Sequence, residues 1–64
     1  MMVDQEQVRN RYIKYLNETG IKQKIICIKL GLNESMISRF RNNKANLQNY
    51  DLCLLDEYIS KVGF

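Results

Sequence analysis

Residues 23–44 read QKIICIKLGLNESMISRFRNNK, and the architecture of the whole chain follows from this segment. Apolar residues recur through it, Gly31 stands in its middle, and basic residues are scattered along it. Isoleucine-rich segments also suit β-strands, so periodicity alone leaves strand and helix open for residues 22–30. Lysines at helical spacing, and the glycine that ends the run, favour a helix there.

A short turn follows this helix. Gly31 supplies a left-handed backbone conformation, and Leu32 enters the core. Asn33 caps the next helix, which is predicted over about residues 34–42. Two short helices joined by a glycine-containing turn form a helix-turn-helix unit. Its packing set is predicted to be Ile26, Leu30, Leu32, Ile37 and Phe40, with Cys27 where the two helices cross closely.

Another helix precedes this unit. It begins after Asp4, an N-cap residue with which Gln7 is predicted to complete a capping box. Val3 is predicted to pack against Val8 as a hydrophobic staple, and Gly20 ends the helix. The apolar residues of this helix are Val8, Tyr12, Ile13, Tyr15 and Leu16.

The fourth helix is predicted from Leu47 or Gln48 to Lys61, ahead of Gly63. Its apolar residues are Leu47, Tyr50, Leu54, Leu55, Tyr58, Ile59 and Val62. The tyrosines Tyr12, Tyr15, Tyr50 and Tyr58 are predicted to lie at the edge of the core. The alternative, stacking on single-stranded bases, would need an exposed aromatic row on a sheet, and the sequence predicts no sheet. The predicted fold class is all-α, with one compact four-helix domain over residues 1–64.

The composition excludes several kinds of site. Histidine is absent, so no Cys/His metal set can form. We find no paired-carboxylate motif and no glycine-rich phosphate loop, so we expect no enzymatic activity, cofactor or small-molecule substrate. The N-terminus lacks the apolar segment of a signal peptide, and no apolar run approaches the roughly 18 residues of a membrane span. We therefore expect a soluble, cytoplasmic protein that does not contact a membrane.

Cys27 and Cys53 both have apolar neighbours, in the segments IICIK and DLCLLD. Free cysteine is usually buried, so both are predicted to be buried, reduced thiols. A disulfide or a reactive site is the alternative.

Charge is distributed unevenly along the chain. Residues 21–44 carry six basic side chains against Glu34 alone, which gives +5, whereas residues 1–20 sum to zero and residues 45–64 to −2. A basic block of this kind indicates a polyanionic partner or an ordinary solvated surface, and charge alone does not separate the two.

The helix over residues 34–42 has one polar face. At about 100° per residue, Met36, Ile37 and Phe40 fall on the arc predicted to be buried. The outward arc consists of Ser35, Ser38, Arg39 and Asn42. Serine and asparagine are poor choices for helix stability, and all these residue types hydrogen-bond to base edges or phosphates. This face is therefore predicted to have a use other than packing.

Residues 21–59 resemble the Cro/C1-type (Xre-like) helix-turn-helix family of phage and bacterial repressors, most specifically in the run GLNESMISRF at residues 31–40. The resemblance implies a lambda-repressor-like fold. It also implies a sequence-specific regulator of transcription that binds double-stranded DNA, acts as a repressor of phage or mobile-element type, and inserts the helix over residues 34–42 into the major groove.

The resemblance also implies individual site residues. The base-facing residues would be Asn33, Glu34, Ser35, Ser38 and Arg39, and those on the DNA backbone would be Gln23, Arg41, Asn42 and Lys44. Arg39 is the best candidate for direct readout, because its fork matches guanine O6 and N7, with a phosphate clamp or a plain surface arginine as the alternative. Glu34 could accept from cytosine N4 or simply favour the helix N-terminus. Gln23 could also be an ordinary first-turn residue.

The chain departs from the family pattern at two positions. Lys22 stands where the family usually has a Ser or Thr cap, so the start of that helix is less well defined. Cys27 replaces the usual alanine, a change of tolerable volume.

A module of this size makes few contacts, so a homodimer on a two-fold DNA site is expected. The candidate dimer residues are Tyr58, Ile59, Val62 and Phe64, and the alternative is that they close the core of the monomer. A rival function is a protein-binding module of the same fold, acting as an antitoxin-like or anti-repressor partner.

Overall fold

The computed structural model describes residues 4–64, and all regular secondary structure in that range is helical. Four helices follow one another along the chain: α1 (Gln5–Thr19), α2 (Gln23–Leu30), α3 (Glu34–Arg41) and α4 (Asn49–Lys61). The predicted all-α class with four helices is confirmed. The predicted staple between Val3 and Val8 lies outside the described residues.

The helix ends follow the predicted cap chemistry with one change. Gly20 and Gly31 adopt the left-handed conformation, with φ of 70° and 71°, where α1 and α2 end. The Asn33 side chain accepts a hydrogen bond from the Met36 amide at 3.2 Å, which caps α3. The Asp4 carboxylate accepts from the amide of Glu6 at 3.0 Å, one residue earlier than a capping box requires.

One core joins the four helices, because α1 packs against both α3 and α4 while α2 packs against α3. Its buried apolar residues are Val8, Tyr12, Tyr15, Ile26, Cys27, Ile37, Phe40, Leu47, Leu52, Leu55 and Ile59. The predicted packing of the α2–α3 pair is confirmed, since Leu30 and Leu32 also pack against this core. Cys27 is only 2% exposed, as a close helix crossing requires.

The predicted apolar face of α4 is partly wrong. Leu52 is fully buried although the prediction omitted it, and Tyr50 is 73% exposed although the prediction included it. Leu52, Leu55 and Ile59 share one side of the helix at spacings of three and four residues, and that side meets α1. Tyr50 is about 200° away from Leu52 around the helix, so it faces solvent.

Two further residues that were predicted to be buried lie at the surface. Cys53 is exposed, because it follows Leu52 by about 100° and so turns away from α1. Met36 is 37% exposed at the edge of the buried arc of α3. The wide apolar face of α2 is likewise not fully covered, since Ile25 is 50% exposed and Ile28 is 72% exposed.

An arginine on α1 ties down the C-terminal end of α4. Arg11 pairs with Asp56 at 2.5 Å, and it also donates to the Ser60 hydroxyl at 2.8 Å and to the Phe64 carbonyl oxygen at 2.9 Å. Three partners on one guanidinium anchor residues 56–64 against α1.

Aromatic contacts complete this anchoring and correct part of the predicted dimer surface. The hydroxyls of Tyr15 and Tyr58 are hydrogen-bonded at 2.7 Å, and the Phe64 ring meets the Tyr15 ring edge-on with centroids 5.3 Å apart. Ile59 is fully buried. Ile59 and Phe64 therefore close the core of the monomer, and of the four candidates Val62 is the exposed one, at 40%.

Candidate nucleic-acid interface

An open groove of ≈ 560 Å³ runs along the outer face of α3, and we call it the polar groove. Its lining residues are Gln23, Glu34, Ser35, Ser38, Arg39, Asn42 and Lys44. All seven belong to the nine residues that the sequence singled out. The other two lie beside it: Asn33 caps the start of α3, and Arg41 lines an adjacent groove.

Gln23 enters the polar groove from the first turn of α2. Its side-chain oxygen Oε1 accepts a hydrogen bond from the Tyr12 hydroxyl at 3.2 Å. That bond orients the amide and leaves its two Nε2 donors for another partner. Burial of Tyr12 raises the pKa of its phenol far above the usual range, so the hydroxyl stays protonated and can donate this bond even in alkaline solution. No sequence pattern indicates this link, because Tyr12 looks like any other tyrosine of a helical core.

The polar side chains of α3 form two neighbouring rows. Ser35 and Arg39 are exposed and four residues apart, so they are adjacent on the helix surface. Ser38, which is half-buried, and Asn42 are adjacent for the same reason. Glu34 lies in the first turn, where a negative charge is favourable to the helix dipole.

Backbone geometry brings Lys44 onto the same groove, although it lies beyond the end of α3. The Lys44 amide donates to the Arg39 carbonyl at 2.8 Å, and the Asn43 amide donates to the Phe40 carbonyl at 3.1 Å. Asn43 adopts φ of 60°, the left-handed conformation that this pair of bonds requires. The two bonds form a Schellman motif, with asparagine in the place where glycine is usual.

The charges of the polar groove are available to a partner. Within residues 4–64, neither Arg39 nor Lys44 lies in ion-pair contact with an acidic side chain. Glu34 is the single acidic residue in the lining, against two cations. The groove is therefore net positive and rich in hydrogen-bond donors.

The adjacent groove, of ≈ 350 Å³, extends this polar surface towards α1. Its lining residues are Ile13, Leu16, Asn17, Arg41 and Asn42. Asn42 lines both grooves, so the two are adjacent. Asn17 is an additional polar residue on this surface that sequence analysis missed, since its contribution depends on how α1 crosses α3.

A third groove, of ≈ 410 Å³, lies between α2 and α4 and has a different character; we call it the apolar groove. Its lining residues are Lys29, Leu30, Leu54, Glu57, Tyr58, Lys61 and Val62. The ammonium nitrogen of Lys29 lies 5.4 Å from the centroid of the Tyr58 ring, within reach of a cation–π contact. Lys29 thus belongs to this groove and not to the polar one.

No family model, curated protein or solved structure matches the chain. Among residues 4–64, His, Cys, Asp and Glu side chains form no group of three or more that could hold a metal ion. In the same range, no helix combines the length and the apolar character needed to cross a membrane.

Proposed function

We propose that this chain is a sequence-specific double-stranded DNA-binding regulator of the Cro/C1 type, acting in the cytoplasm as a repressor of phage or mobile-element type. One observation carries the proposal: seven residues of the predicted DNA site line a single open groove along α3. These side chains have the hydrogen-bonding groups and the net positive charge that recognition of a duplex needs.

In this proposal α3 enters the major groove, which is about 12 Å wide and accommodates one helix. Arg39 donates two bonds to a guanine, and Ser35 and Ser38 reach neighbouring base edges. Gln23, in the first turn of α2, and Lys44, just beyond the end of α3, line the same groove and contact phosphates. The free Nε2 donors of Gln23 and the lack of an ion-pair partner for Lys44 within residues 4–64 support these roles.

We further propose that two copies of the chain associate through the apolar groove and that this dimer binds a two-fold DNA site. Val62 and Leu54 offer apolar surface there, Lys61 lies 4.0 Å from Glu57 within α4, and Lys29 lines the same groove. A two-fold interface places this patch against the same patch on the second copy. Because the patch carries charges of both signs, a lysine of one copy can pair with a glutamate of the other. Because Ile59 and Phe64 belong to the monomer core, they have no part in this interface.

A second candidate function is a protein-binding module of the antitoxin-like or anti-repressor kind. The exposed isoleucines Ile25 and Ile28, three residues apart on α2, favour it, because neighbouring exposed apolar side chains are typical of protein contacts. This surface lies outside the polar groove, so the two functions predict different sensitive residues.

Salt dependence separates the two functions. After in-vitro selection of bound duplexes, we expect affinity to fall linearly on a logarithmic salt scale, with a slope of about −0.9 per phosphate contact. The double variant Arg39→Ala/Lys44→Ala, which keeps the apolar groove intact, should flatten that slope. If no duplex were bound at low salt after selection, the DNA-binding proposal would fail, and the protein-binding module would be the candidate left to test.

A further inference from the structure

The first two turns of α1 contact the connection between α3 and α4. The Gln5 side chain donates from Nε2 to the Leu47 carbonyl oxygen at 2.8 Å and accepts from the Leu47 amide at 3.1 Å. Both polar ends of one side-chain amide are therefore satisfied by the backbone of a single residue, 42 positions away. Such a pair holds the start of α4 at a defined distance from α1.

Arg9, one turn further along α1, holds the other side of the same connection. It is only 4% exposed, and its Nε donates to the Phe40 carbonyl oxygen at 2.6 Å. Its Nη2 donates to the Ala45 carbonyl oxygen at 3.3 Å and to the Asn46 side chain at 3.1 Å. The guanidinium carbon lies 4.6 Å from the centroid of the Phe40 ring.

Lys44 lies between these attachment points. The turn before it is held by Arg9 at Phe40, and the residues after it are held by Arg9 at Ala45 and by Gln5 at Leu47. Residues 41–44 are all exposed, so burial of apolar surface cannot hold them. Hydrogen bonds to α1 and the Schellman bonds are what fix this turn.

We propose that Gln5 and Arg9, together the polar clamp, are positioning residues that preset Lys44 for contact with a DNA phosphate. The inference rests on the proposed function, and it assigns DNA affinity to two residues that do not line the polar groove. The physical reason is preorganisation: a turn that is already ordered loses less conformational entropy when it binds. Sequence analysis missed both residues, because neither lies in the helix-turn-helix segment.

The test is a double-mutant cycle between the clamp and Lys44. Gln5→Met keeps the length of the side chain and removes both bonds to Leu47. We expect it to weaken binding of selected and scrambled duplexes alike by about three- to tenfold, the cost of ordering one or two side chains. Lys44→Ala should then cost much less in the Gln5→Met background than in the wild type, because the two changes remove the same phosphate contact.

Two matched variants distinguish positioning from general stability. Arg11→Met removes an arginine of the same helix that bonds to three groups near the end of α4, away from the polar groove. It should lower the free energy of unfolding without coupling to Lys44→Ala. Arg39→Ala, at the centre of α3, should be additive with Gln5→Met. Arg9→Lys serves as the second clamp variant, since it keeps the charge that a full truncation would lose.

Additivity within about twofold between Gln5→Met and Lys44→Ala would overturn the inference. If the wild type bound no duplex, the proposed function would fail, and the DNA role of the polar clamp would fail with it. Amide hydrogen exchange distinguishes this failure from a failure of the clamp to hold the turn. Faster exchange at Lys44 and Leu47 in Gln5→Met, but not in Arg11→Met, means that the clamp holds the turn; unchanged exchange means that it does not.

Discussion

The polar groove and the apolar groove share α2 but are built from different chemistry. Gln23, at the start of α2, lines the polar groove, whereas Lys29 and Leu30, at its end, line the apolar groove. In the polar groove every lining side chain ends in a hydrogen-bonding or charged group. The apolar groove includes Leu30, Leu54, Tyr58 and Val62, with two lysines against one glutamate.

This difference shows how one small chain can present two unlike surfaces. A groove of donors and unpaired cations attracts a polyanion, and that attraction weakens as salt rises. A groove of aliphatic and aromatic side chains gains free energy by excluding water, which salt does not screen. Variants in the polar groove should therefore change DNA binding and its salt dependence, whereas variants in the apolar groove should change self-association.

The largest effect is expected in the polar groove, on sequence preference. Arg39→Ala should cost about 1–3 kcal/mol on the selected duplex and much less on scrambled DNA, because it removes the proposed base contact. Lys44→Ala should weaken both duplexes together and reduce the salt slope by about one. Binding isotherms on both duplexes, with folding checked by circular dichroism, measure these changes.

If Arg39→Ala weakened both duplexes equally, Arg39 would be a phosphate clamp. Sequence preference would then rest on Asn33, Ser35 and Ser38, or on the shape of the DNA.

The next effect concerns the packing beneath the polar groove. Cys27→Leu should lower the free energy of unfolding by about 1–3 kcal/mol, because it overpacks the α2–α3 crossing. Cys53→Leu, at the exposed thiol on α4, should change it by less than about 0.5 kcal/mol. Urea unfolding measures both, and Cys27→Ala should keep the fold and DNA binding.

Thiol reactivity provides an independent check on the two cysteines. Burial raises the pKa of the Cys27 thiol, so Cys53 should react first with a thiol reagent in the folded protein. Equal rates in the native state would contradict the buried position of Cys27.

A smaller effect is expected in the apolar groove, on self-association. Val62→Glu should weaken the proposed dimer by about tenfold, since a charge at this partly exposed position of an apolar interface costs about 1.4 kcal/mol. Sedimentation at several concentrations measures it, with Asn10→Glu on the exposed surface of α1 as the charge-matched control. If the wild type stayed monomeric at every concentration, the dimer proposal would fail, and a different protein would be the candidate partner for the apolar groove.

The smallest effect concerns Tyr15. It is a loss of folding free energy that appears only at high pH. The hydrogen bond between Tyr15 and Tyr58, helped by burial, raises the pKa of Tyr15 to about 12 from the ordinary 10.0. Between these values the unfolded chain releases a proton that the folded chain keeps, so the free energy of unfolding falls as pH rises. Urea unfolding at about pH 8 and about pH 11 should show this loss, and Tyr15→Phe should reduce it. If Tyr15→Phe lost as much free energy of unfolding as the wild type over this pH range, groups other than Tyr15 would be responsible.

Much of the polar groove was predictable because its residues are close in the sequence. Ser35, Ser38, Arg39 and Asn42 fall on one arc of a helix whatever surrounds it, and the Asn33 cap acts on its own first turn. The α4 errors have the opposite origin. Which face of α4 is buried depends on where α1 packs, and apolar content alone did not distinguish Leu52 from Tyr50.

Local chemistry alone therefore determined the four helices, the glycine-containing turn and the polar face of α3, because each depends on residues within a turn or two of one another. Tertiary structure decided the rest. Tyr12 orients Gln23 from 11 positions away, Arg9 reaches Phe40 across 31, and Gln5 reaches Leu47 across 42. Hydrogen bonds of this kind form only after helix packing has brought distant donors and acceptors within about 3 Å, and no pattern of neighbouring residues encodes that distance.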